Sequence, residues 1–205
     1  MKQLGFRTGN WLNREQARSL LEAADGEALR NIRDVAMISI LLGCGLRRAE
    51  LSALRWEDIQ VRQGQWAIVD PVGECKHVRT VAMPIWVKGA VDRWMTAASV
   101  TTGRVFRAVS RHGTPWGRGI SKNVVWYVIR NCAKCLEFEQ LAPHDLGRTC
   151  AKLCHVNGGE LEQIQFLLGH ASVLTTERYP GCKQNLEEPV NDRLGCLYSR
   201  ALDSR

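Results

Sequence analysis

The sequence predicts a mainly α-helical protein with one small antiparallel β-sheet, an α+β fold in a single domain over residues 1–205. Three observations support this fold class. Apolar residues recur at helical spacing over most of the chain. Between Trp56 and Met83 the pattern changes to alternating apolar and polar residues, in "WAIVD" and "VRTVAM", as expected of strands. The length of 205 residues suits one domain with a sizeable core.

Helices are expected on both sides of this sheet. Asn13 followed by Gln16 is an N-terminal capping signature, and it opens a first helix over "REQARSLLEAA". Pro143 stands at the first turn of a helix carrying "HDLGRTCAKLCHVN", and Gly169 closes a short helix that begins at Glu160. The other helices are expected at 29–42, over "LRRAELSAL", from Pro84 to Ala98, and over "SKNVVWYVIRNCAKCLEF". Residues 103–119 are predicted to be a loop, and the polar tail 180–205 to form a weak helix.

The charge of the chain favours a polyanionic partner. The formal net charge is +7 and the pI is near 9.2, which favours binding to nucleic acid. A hydrophobic fraction of 45% and a charged fraction of 24% are ordinary for a soluble globular protein. No apolar run reaches the roughly 18 residues of a membrane span, and the N-terminus lacks the pattern of a signal peptide. We therefore expect a cytoplasmic protein without a membrane partner.

The cysteines allow a metal site to be drawn. Cys132 and Cys135 form a C-x-x-C pair, and Cys150 and Cys154 follow with His155 adjacent. All four cysteines lie within predicted helices, where buried free cysteines behave as small hydrophobic residues. Structural zinc ligands usually lie on tight knuckles instead. The prediction is therefore that no metal or other cofactor is bound, and a zinc-dependent nucleic-acid module is the alternative.

Four separate elements each carry a group that suits a phosphate. These groups are Arg47, the turn with Lys76 and His77, His144 with Arg148, and His170 ahead of Tyr179. Taken singly, each is better explained by a structural role, as a solvated face, a helix start, a helix cap or a core residue. Their significance therefore depends on their order along the chain.

In that order, the chain resembles the tyrosine recombinase family, also called the phage integrase family. The resemblance covers nearly the whole chain, from "WLNREQARSLLEAAD" through "GCGLRRAELSALRWEDI" and "APHDLGRTCAKLC" to "LEQIQFLLGHASVLTTERY". The last block is the most specific, because a Leu-Gly-His closes one helix and a tyrosine follows nine residues after the histidine. The resemblance implies the tyrosine recombinase catalytic-domain fold, with duplex DNA as the partner.

The resemblance also implies a reaction without metal or nucleotide. Tyr179 is the implied nucleophile, attacking a scissile phosphate to leave a 3'-phosphotyrosyl link and a free 5'-hydroxyl. Arg47 corresponds to the first of the family's two clamp arginines, since a guanidinium matches phosphate oxygens bidentately and stays charged. His144 and His170 correspond to the family's active-site histidines, and Glu50 is placed to hold Arg47 or its helix. The implied outcome is site-specific integration, excision or inversion.

Three positions depart from the family pattern. Gly147 stands where the second clamp arginine is expected, and Arg148 is turned from it by about 100 degrees on a helix. Loss of one preorganised donor typically costs roughly 3 to 4 kcal/mol, about a hundred- to thousandfold in rate. Glu74 occupies the place of the family's lysine on the sheet turn, which leaves Lys76 as the candidate. Pro180 directly after the tyrosine disfavours helical geometry there. Depressed cleavage is the expectation, and a catalytically disarmed DNA-binding homologue is the alternative.

The remaining expectations concern assembly and DNA contact. Family members usually carry an N-terminal core-binding domain, which is expected to be absent from this chain. We expect a monomer that assembles into a tetramer on DNA, with the tail 180–205 as an anchor between subunits. Besides the catalytic set, four basic residues are predicted to contact DNA: Arg48, His77, Arg79 and Arg148.

Overall fold

A computed structural model describes residues 11–69, 71, 79–138, 141–169 and 185–198. These residues form a mainly helical fold with small antiparallel sheets, which confirms the predicted fold class. The helices are α1 (Arg14–Ala24), α2 (Leu29–Gly43), α3 (Arg48–Ala53), α4 (Ile85–Ala97), α5 (Lys122–Cys135), α6 (Pro143–Val156) and α7 (Leu161–Leu168). The strands are β1 (Ile59–Arg62), β2 (Gln65–Val69), β3 (Thr80–Ala82), β4 (Ala108–Val109) and β5 (Pro115–Trp116).

Helix α1 begins where its capping signature predicts. The Asn13 side chain accepts a hydrogen bond from the Gln16 N–H at 2.8 Å, and the Gln16 side chain accepts one from the Asn13 N–H at 2.9 Å. The two residues thus satisfy backbone donors that the first helical turn leaves without partners. The helix buries Ala17, Leu20 and Leu21 and ends at Ala24.

Helix α2 lies at the centre of the core. Its residues from Val35 onward are buried, and it packs against α1, α4 and α6. Helix α4 contributes Trp94, whose ring stacks on Phe106 at 6.4 Å and whose Nε1–H donates to the Val105 carbonyl at 2.9 Å. That bond satisfies the one polar group of a fully buried indole. The buried α2 therefore gives a fixed end, at Gly43, from which the next segment emerges.

The main sheet has the order β1-β2-β3 and is antiparallel throughout. Ile59 pairs with Ile68, and Ala67 pairs with Ala82. Of the residues between β2 and β3, where the sequence predicts the basic turn, the structure describes only positions 71 and 79. The strand pairing confirms the predicted small sheet, and among the described residues β1 and β3 are its two edge strands.

Two elements differ from the sequence prediction. Helix α5 ends at Cys135 instead of continuing to Phe138, because Glu137 adopts a left-handed backbone with φ of 58°. The predicted loop 103–119 contains the two-residue strands β4 and β5, in which Ala108 pairs with Trp116. Strands this short leave no detectable alternation in the sequence.

The described part of the tail packs on its own chain. Residues Val190–Leu194 form a 3-10 helix, and Val190, Leu194, Leu197 and Tyr198 are buried in the same core as the helices. The Tyr198 hydroxyl donates to Asp25 at 2.7 Å. These four apolar side chains of the predicted anchor segment are therefore already buried within this chain. None of the described helices is both long and apolar enough to cross a membrane.

Candidate active site

Arg47 lies on a short, fixed link between the buried α2 and the surface. Gly45 turns the chain with φ of 60°, and Leu46 is buried next to it. Arg47 is the N-cap of α3, where its backbone N–H donates to Glu50 at 2.8 Å. The Arg47 side chain is 44% exposed. A partly exposed guanidinium therefore stands on a backbone held by the core.

One buried carboxylate supports two arginines at this point. Glu50, 2% exposed, accepts hydrogen bonds from both terminal nitrogens of Arg79 at 2.9 Å and from Nη1 of Arg47 at 3.2 Å. The Arg79 side chain is only 8% exposed. Burial lowers the pKa of Arg79 from its ordinary value, while the adjacent Glu50 opposes that shift. With two cations on one anion, this cluster keeps a net positive charge that faces solvent through Arg47.

The end of α7 meets this cluster. Nη2 of Arg47 donates to the Gly169 carbonyl at 3.0 Å. Gly169 closes α7 in the left-handed conformation, with φ of 61°, and its Cα lies against the Arg79 side chain. Since His170 follows Gly169 directly, the contact brings the Arg47 segment to the start of the predicted His170–Tyr179 segment.

Replacing Gly169 with alanine is expected to destabilise the fold by more than the ~1–2 kcal/mol that an L residue costs in the left-handed conformation. The added Cβ would also lie 2.8 Å from Cδ of Arg79, which is fixed by Glu50. Urea denaturation measures the loss. Gly64→Ala in the β1–β2 turn is the matched control, because Gly64 also has positive φ, 78°, but has open space around it. An equal loss in both variants would show that backbone strain alone acts, without the Arg79 contact.

The first two turns of α6 present two predicted site residues. His144 and Arg148 are 66% and 57% exposed, and both contact Oδ1 of Asp145, at 3.1 and 3.3 Å respectively. Asp145 is buried and accepts the Ala142 N–H at 3.0 Å, which caps the helix start. One carboxylate thus orients the helix, the imidazole and the guanidinium together.

Gly147 lies on the side of α6 that faces the Arg47 segment. A Cβ placed on Gly147 would meet only the Gly45 carbonyl oxygen among described atoms, at 3.8 Å, an ordinary van der Waals contact. Arg148 is directed toward Asp145 on its own helix. Position 147 therefore has room for a side chain beside the Arg47 segment, and Arg148 does not occupy it.

Several predicted site residues lie outside the described residues. These are Tyr179, His170, Lys76, His77 and the Glu74 position. Of the rest, Arg48 is exposed at the start of α3 and is compatible with a DNA contact. The prediction that Arg79 contacts DNA is corrected by the structure. The Arg79 guanidinium is buried and bonded to Glu50, so it supports Arg47 instead.

Two features of the site were missed by sequence reasoning. The Gly169 carbonyl is invisible in a sequence because it is a backbone group. The need for a partner of Glu50 left a signal, since Glu50 is the one charged residue in the mainly apolar "AELSAL", and a buried carboxylate must be paired. The sequence indicated the need for a cation but not that Arg79 supplies it.

Four of the described cysteines lie in the core, whereas Cys135 and Cys196 are exposed. Cys44, Cys150 and Cys154 are fully buried. The hydrogen bond between Cys150 and Cys154, together with burial, raises the pKa of Cys150 well above the ordinary value, and burial raises the pKa of Cys132 to about 11. Within the described ranges, no group of three or more His, Cys, Asp or Glu side chains is arranged to hold a metal ion. The alternative zinc site therefore gains no support from α5 and α6.

Comparison with known proteins defines the family. The model of the phage integrase family matches residues 10–184, most of the chain. The chain belongs to the phage integrase family. As a member, it is 27% identical over 174 residues to tyrosine recombinase XerD of Listeria monocytogenes serotype 4b (strain F2365), covering 82% of this chain and 56% of the relative. It is 30% identical over 183 residues to XerD of Pseudomonas putida KT2440, covering 87% and 59%. The chain thus spans a little over half the length of these relatives.

Solved structures of the family share the fold. The crystal structure of XerA recombinase matches 95% of this chain and 66% of its own, with a TM-score of 0.63 and 24% identity. XerH recombinase bound to its difH substrate, in a pre-cleavage complex, matches 84% of this chain and 50% of its own, with a TM-score of 0.63 and 20% identity. The fold is therefore that of a tyrosine recombinase catalytic domain.

Proposed function

We propose that this phage integrase family member is a site-specific DNA strand transferase that cleaves and rejoins duplex DNA through a 3'-phosphotyrosyl intermediate. The single observation that carries the proposal is the placement of Arg47. Its guanidinium is partly exposed, rests on the buried Glu50–Arg79 pair, and contacts the end of α7 immediately before His170. A fixed cation of this kind suits the phosphate of a DNA strand.

The proposed reaction is an exchange of one phosphodiester bond for another. The Tyr179 oxygen attacks the scissile phosphorus, the bond from phosphorus to the 5'-oxygen breaks, and the hydroxyl proton of the tyrosine is removed. The departing 5'-oxygen takes up a proton and leaves as a hydroxyl. In the reverse step a 5'-hydroxyl attacks the phosphotyrosyl phosphorus and restores Tyr179. Because the covalent link retains the bond energy, strand joining needs no nucleotide.

Arg47 acts on the charge that develops during this exchange. Two of its N–H groups are committed to Glu50 and Gly169, and its remaining N–H groups can reach non-bridging phosphate oxygens. The supports are fixed before DNA binds, so little reorganisation is needed when the negative charge builds up. His144 and His170 are proposed to assist proton transfer, and Lys76 to protonate the 5'-oxygen.

Other basic residues are proposed to hold the duplex. Arg48 and Arg148 are exposed on α3 and α6, and His77 belongs to the predicted basic turn, outside the described residues. Together with a net charge of +7, they favour phosphate contacts that release counterions. Affinity for duplex DNA should therefore fall steeply as the salt concentration rises.

The tyrosine content makes the nucleophile testable. The chain has three tyrosines: Tyr127, Tyr179 and Tyr198. Tyr198 is buried and donates to Asp25, and burial together with that bond raises its pKa to about 12, which disfavours a nucleophilic role. Tyr127 is 59% exposed on α5, away from the Arg47 cluster in sequence. It is the natural control for Tyr179.

Covalent adduct formation should depend on Tyr179 alone. Nicked duplexes drawn from DNA flanking the gene would trap the intermediate, because the short cleaved fragment diffuses away. On a denaturing gel, wild-type protein and Tyr127→Phe should give equal adduct, and Tyr179→Phe none. An adduct that persists in Tyr179→Phe would refute the proposed chemistry.

A second candidate function is DNA binding without turnover. The observation that favours it is Gly147, which leaves the space beside the Arg47 segment without a second cation from α6. Both candidates predict salt-sensitive DNA binding, and only the covalent adduct distinguishes them. An adduct seen solely after an arginine is restored at position 147 would support the disarmed form.

Assembly is proposed to follow DNA binding. We propose a monomer in free solution and a tetramer on paired duplexes, in which cleavage and rejoining are coordinated. Light scattering on the protein alone should give the mass of a monomer. A stable tetramer without DNA would contradict this part of the proposal.

A further inference from the structure

Asn191 ties the C-terminal segment to two elements of the candidate site. It lies in the 3-10 helix Val190–Leu194 and is fully buried. Its Nδ2 donates to the Gly43 carbonyl at 2.8 Å and to the Ala82 carbonyl at 2.7 Å. Both partners can only accept, so the amide group that lies between them must be the NH2.

Each carbonyl belongs to a place where regular structure ends. Gly43 is the last residue of α2, where helix carbonyls lack partners within the helix. Ala82 is the last residue of β3, an edge strand of the described sheet. An unpaired carbonyl at either site would be buried and costly. One side chain thus satisfies both groups and fixes the distance between them.

The two tied elements carry the arginine cluster. The segment from Gly43 leads directly to Arg47, and β3 follows directly on Arg79. The chain that continues from each element is joined a second time, where Arg79, just before β3, binds Glu50 in α3. The segment from Gly43 to Glu50 and the segment from Arg79 to Ala82 are therefore cross-linked at two points, one by the salt bridge and one by Asn191.

We propose that Asn191 is a positioning residue that holds the Arg47 segment in register with β3, and so fixes the Arg47 guanidinium against the phosphate. The inference rests on the proposed function for its effect on cleavage, although the bridge itself can be tested without DNA. Asn191 touches no reacting atom. It acts through the backbone of Gly43 and Ala82.

The other contacts of the segment provide a matched control. Nη1 of Arg193 donates to the Gly158 carbonyl at 2.6 Å, which docks the same 3-10 helix on the turn between α6 and α7. Arg193→Ala should loosen the segment without touching the α2 end or β3. Asn191→Ala removes the bridge, and Asn191→Ser, which keeps a donor able to reach one carbonyl at most, serves if the alanine variant does not fold.

Hydrogen exchange tests the bridge directly. In Asn191→Ala, amide hydrogens in peptides covering 43–51 and 79–83 should exchange about tenfold or more faster than in Arg193→Ala. Without the bridge, these segments can open locally without first breaking the two hydrogen bonds of Asn191. Equal exchange in the two variants would overturn the proposal, whatever the activity of the protein.

Cleavage kinetics test the consequence. Single-turnover adduct formation on nicked duplex is measured in the wild-type or Gly147→Arg background, whichever reacts faster. Asn191→Ala should lower the rate at saturating DNA about tenfold or more, since small misplacements of a catalytic group have large effects. The half-saturating DNA concentration should change less than about twofold, and Arg193→Ala should leave both near the parent values. Faster exchange with an unchanged cleavage rate would overturn the positioning role. If no parent protein cleaves, the proposed function fails, and hydrogen exchange alone decides the bridge.

Discussion

Gly147→Arg is expected to raise the rate of covalent adduct formation by roughly a hundred- to thousandfold, the usual effect of one preorganised charge donor. The side chain has room, because its Cβ would meet only the Gly45 carbonyl oxygen, at 3.8 Å, among described atoms. It would emerge beside the segment that carries Arg47. Two guanidinium groups would then share the phosphate charge that Arg47 meets alone. Quenched-flow sampling on nicked duplex, analysed on denaturing gels, measures the rate.

Gly147→Gln tests whether a faster reaction in Gly147→Arg comes from the positive charge or from a more stable helix α6. Either substitution removes a glycine from the interior of α6, which should stabilise the helix by about 1 kcal/mol. Glutamine adds length and hydrogen-bonding capacity without positive charge, so it should leave the rate near that of the wild type. Equal gains from glutamine and arginine would show that α6 stability, not phosphate charge, limits the reaction. If Gly147→Arg does not raise the rate of adduct formation, the idea that the site lacks a second phosphate-binding arginine at position 147 is refuted.

Glu50→Ala is expected to destabilise the protein by about 3–5 kcal/mol, the usual cost of breaking a buried ion pair. The variant leaves Arg79, 8% exposed, without its bidentate partner, and removes one support of Arg47. The free energy of unfolding is measured by urea denaturation. Glu57→Gln, at the exposed ion pair with Arg55, should leave the unfolding midpoint close to the wild-type value.

The double variant Glu50→Met/Arg79→Met tests the cause of that loss. Replacing both partners of a buried pair with apolar residues is often neutral, because no charge remains buried without a partner. The double variant should therefore recover most of the stability lost in Glu50→Ala. Its adduct formation should stay low, because Arg47 no longer rests on a carboxylate. A double variant as unstable as Glu50→Ala would assign the loss to packing instead of charge.

Local sequence signals predicted the elements whose ends are set locally. The capping pair Asn13 and Gln16 fixed the start of α1, and Pro143 and Gly169 marked the start of α6 and the end of α7. The predicted end of α5 was wrong, because Leu136 and Phe138 still pack against the core although the helix ends at Cys135. Apolar periodicity records burial, and it cannot tell whether the backbone at a buried residue is still helical.

Arg79 shows why the supports of the site were harder to predict. It stands beside a basic turn, so sequence reasoning assigned it to DNA, whereas the fold places it on Glu50 from a distant segment. Asn191 is a similar case, because its two acceptors are the backbone carbonyls of residues far apart in sequence. Residue types that suit phosphate chemistry could be found from the sequence. Which of them face DNA and which hold the others in place depends on tertiary contacts.

The most direct test of the account is the identity of the residue joined to DNA. Adduct formed by the Gly147→Arg protein would be digested with nuclease and trypsin and analysed by mass spectrometry. Cleavage after Arg178 and Lys183 releases "YPGCK", residues 179–183. The account predicts a nucleotide remnant on this peptide, at Tyr179. A remnant on Tyr127, on Tyr198 or on a residue of another type would contradict it.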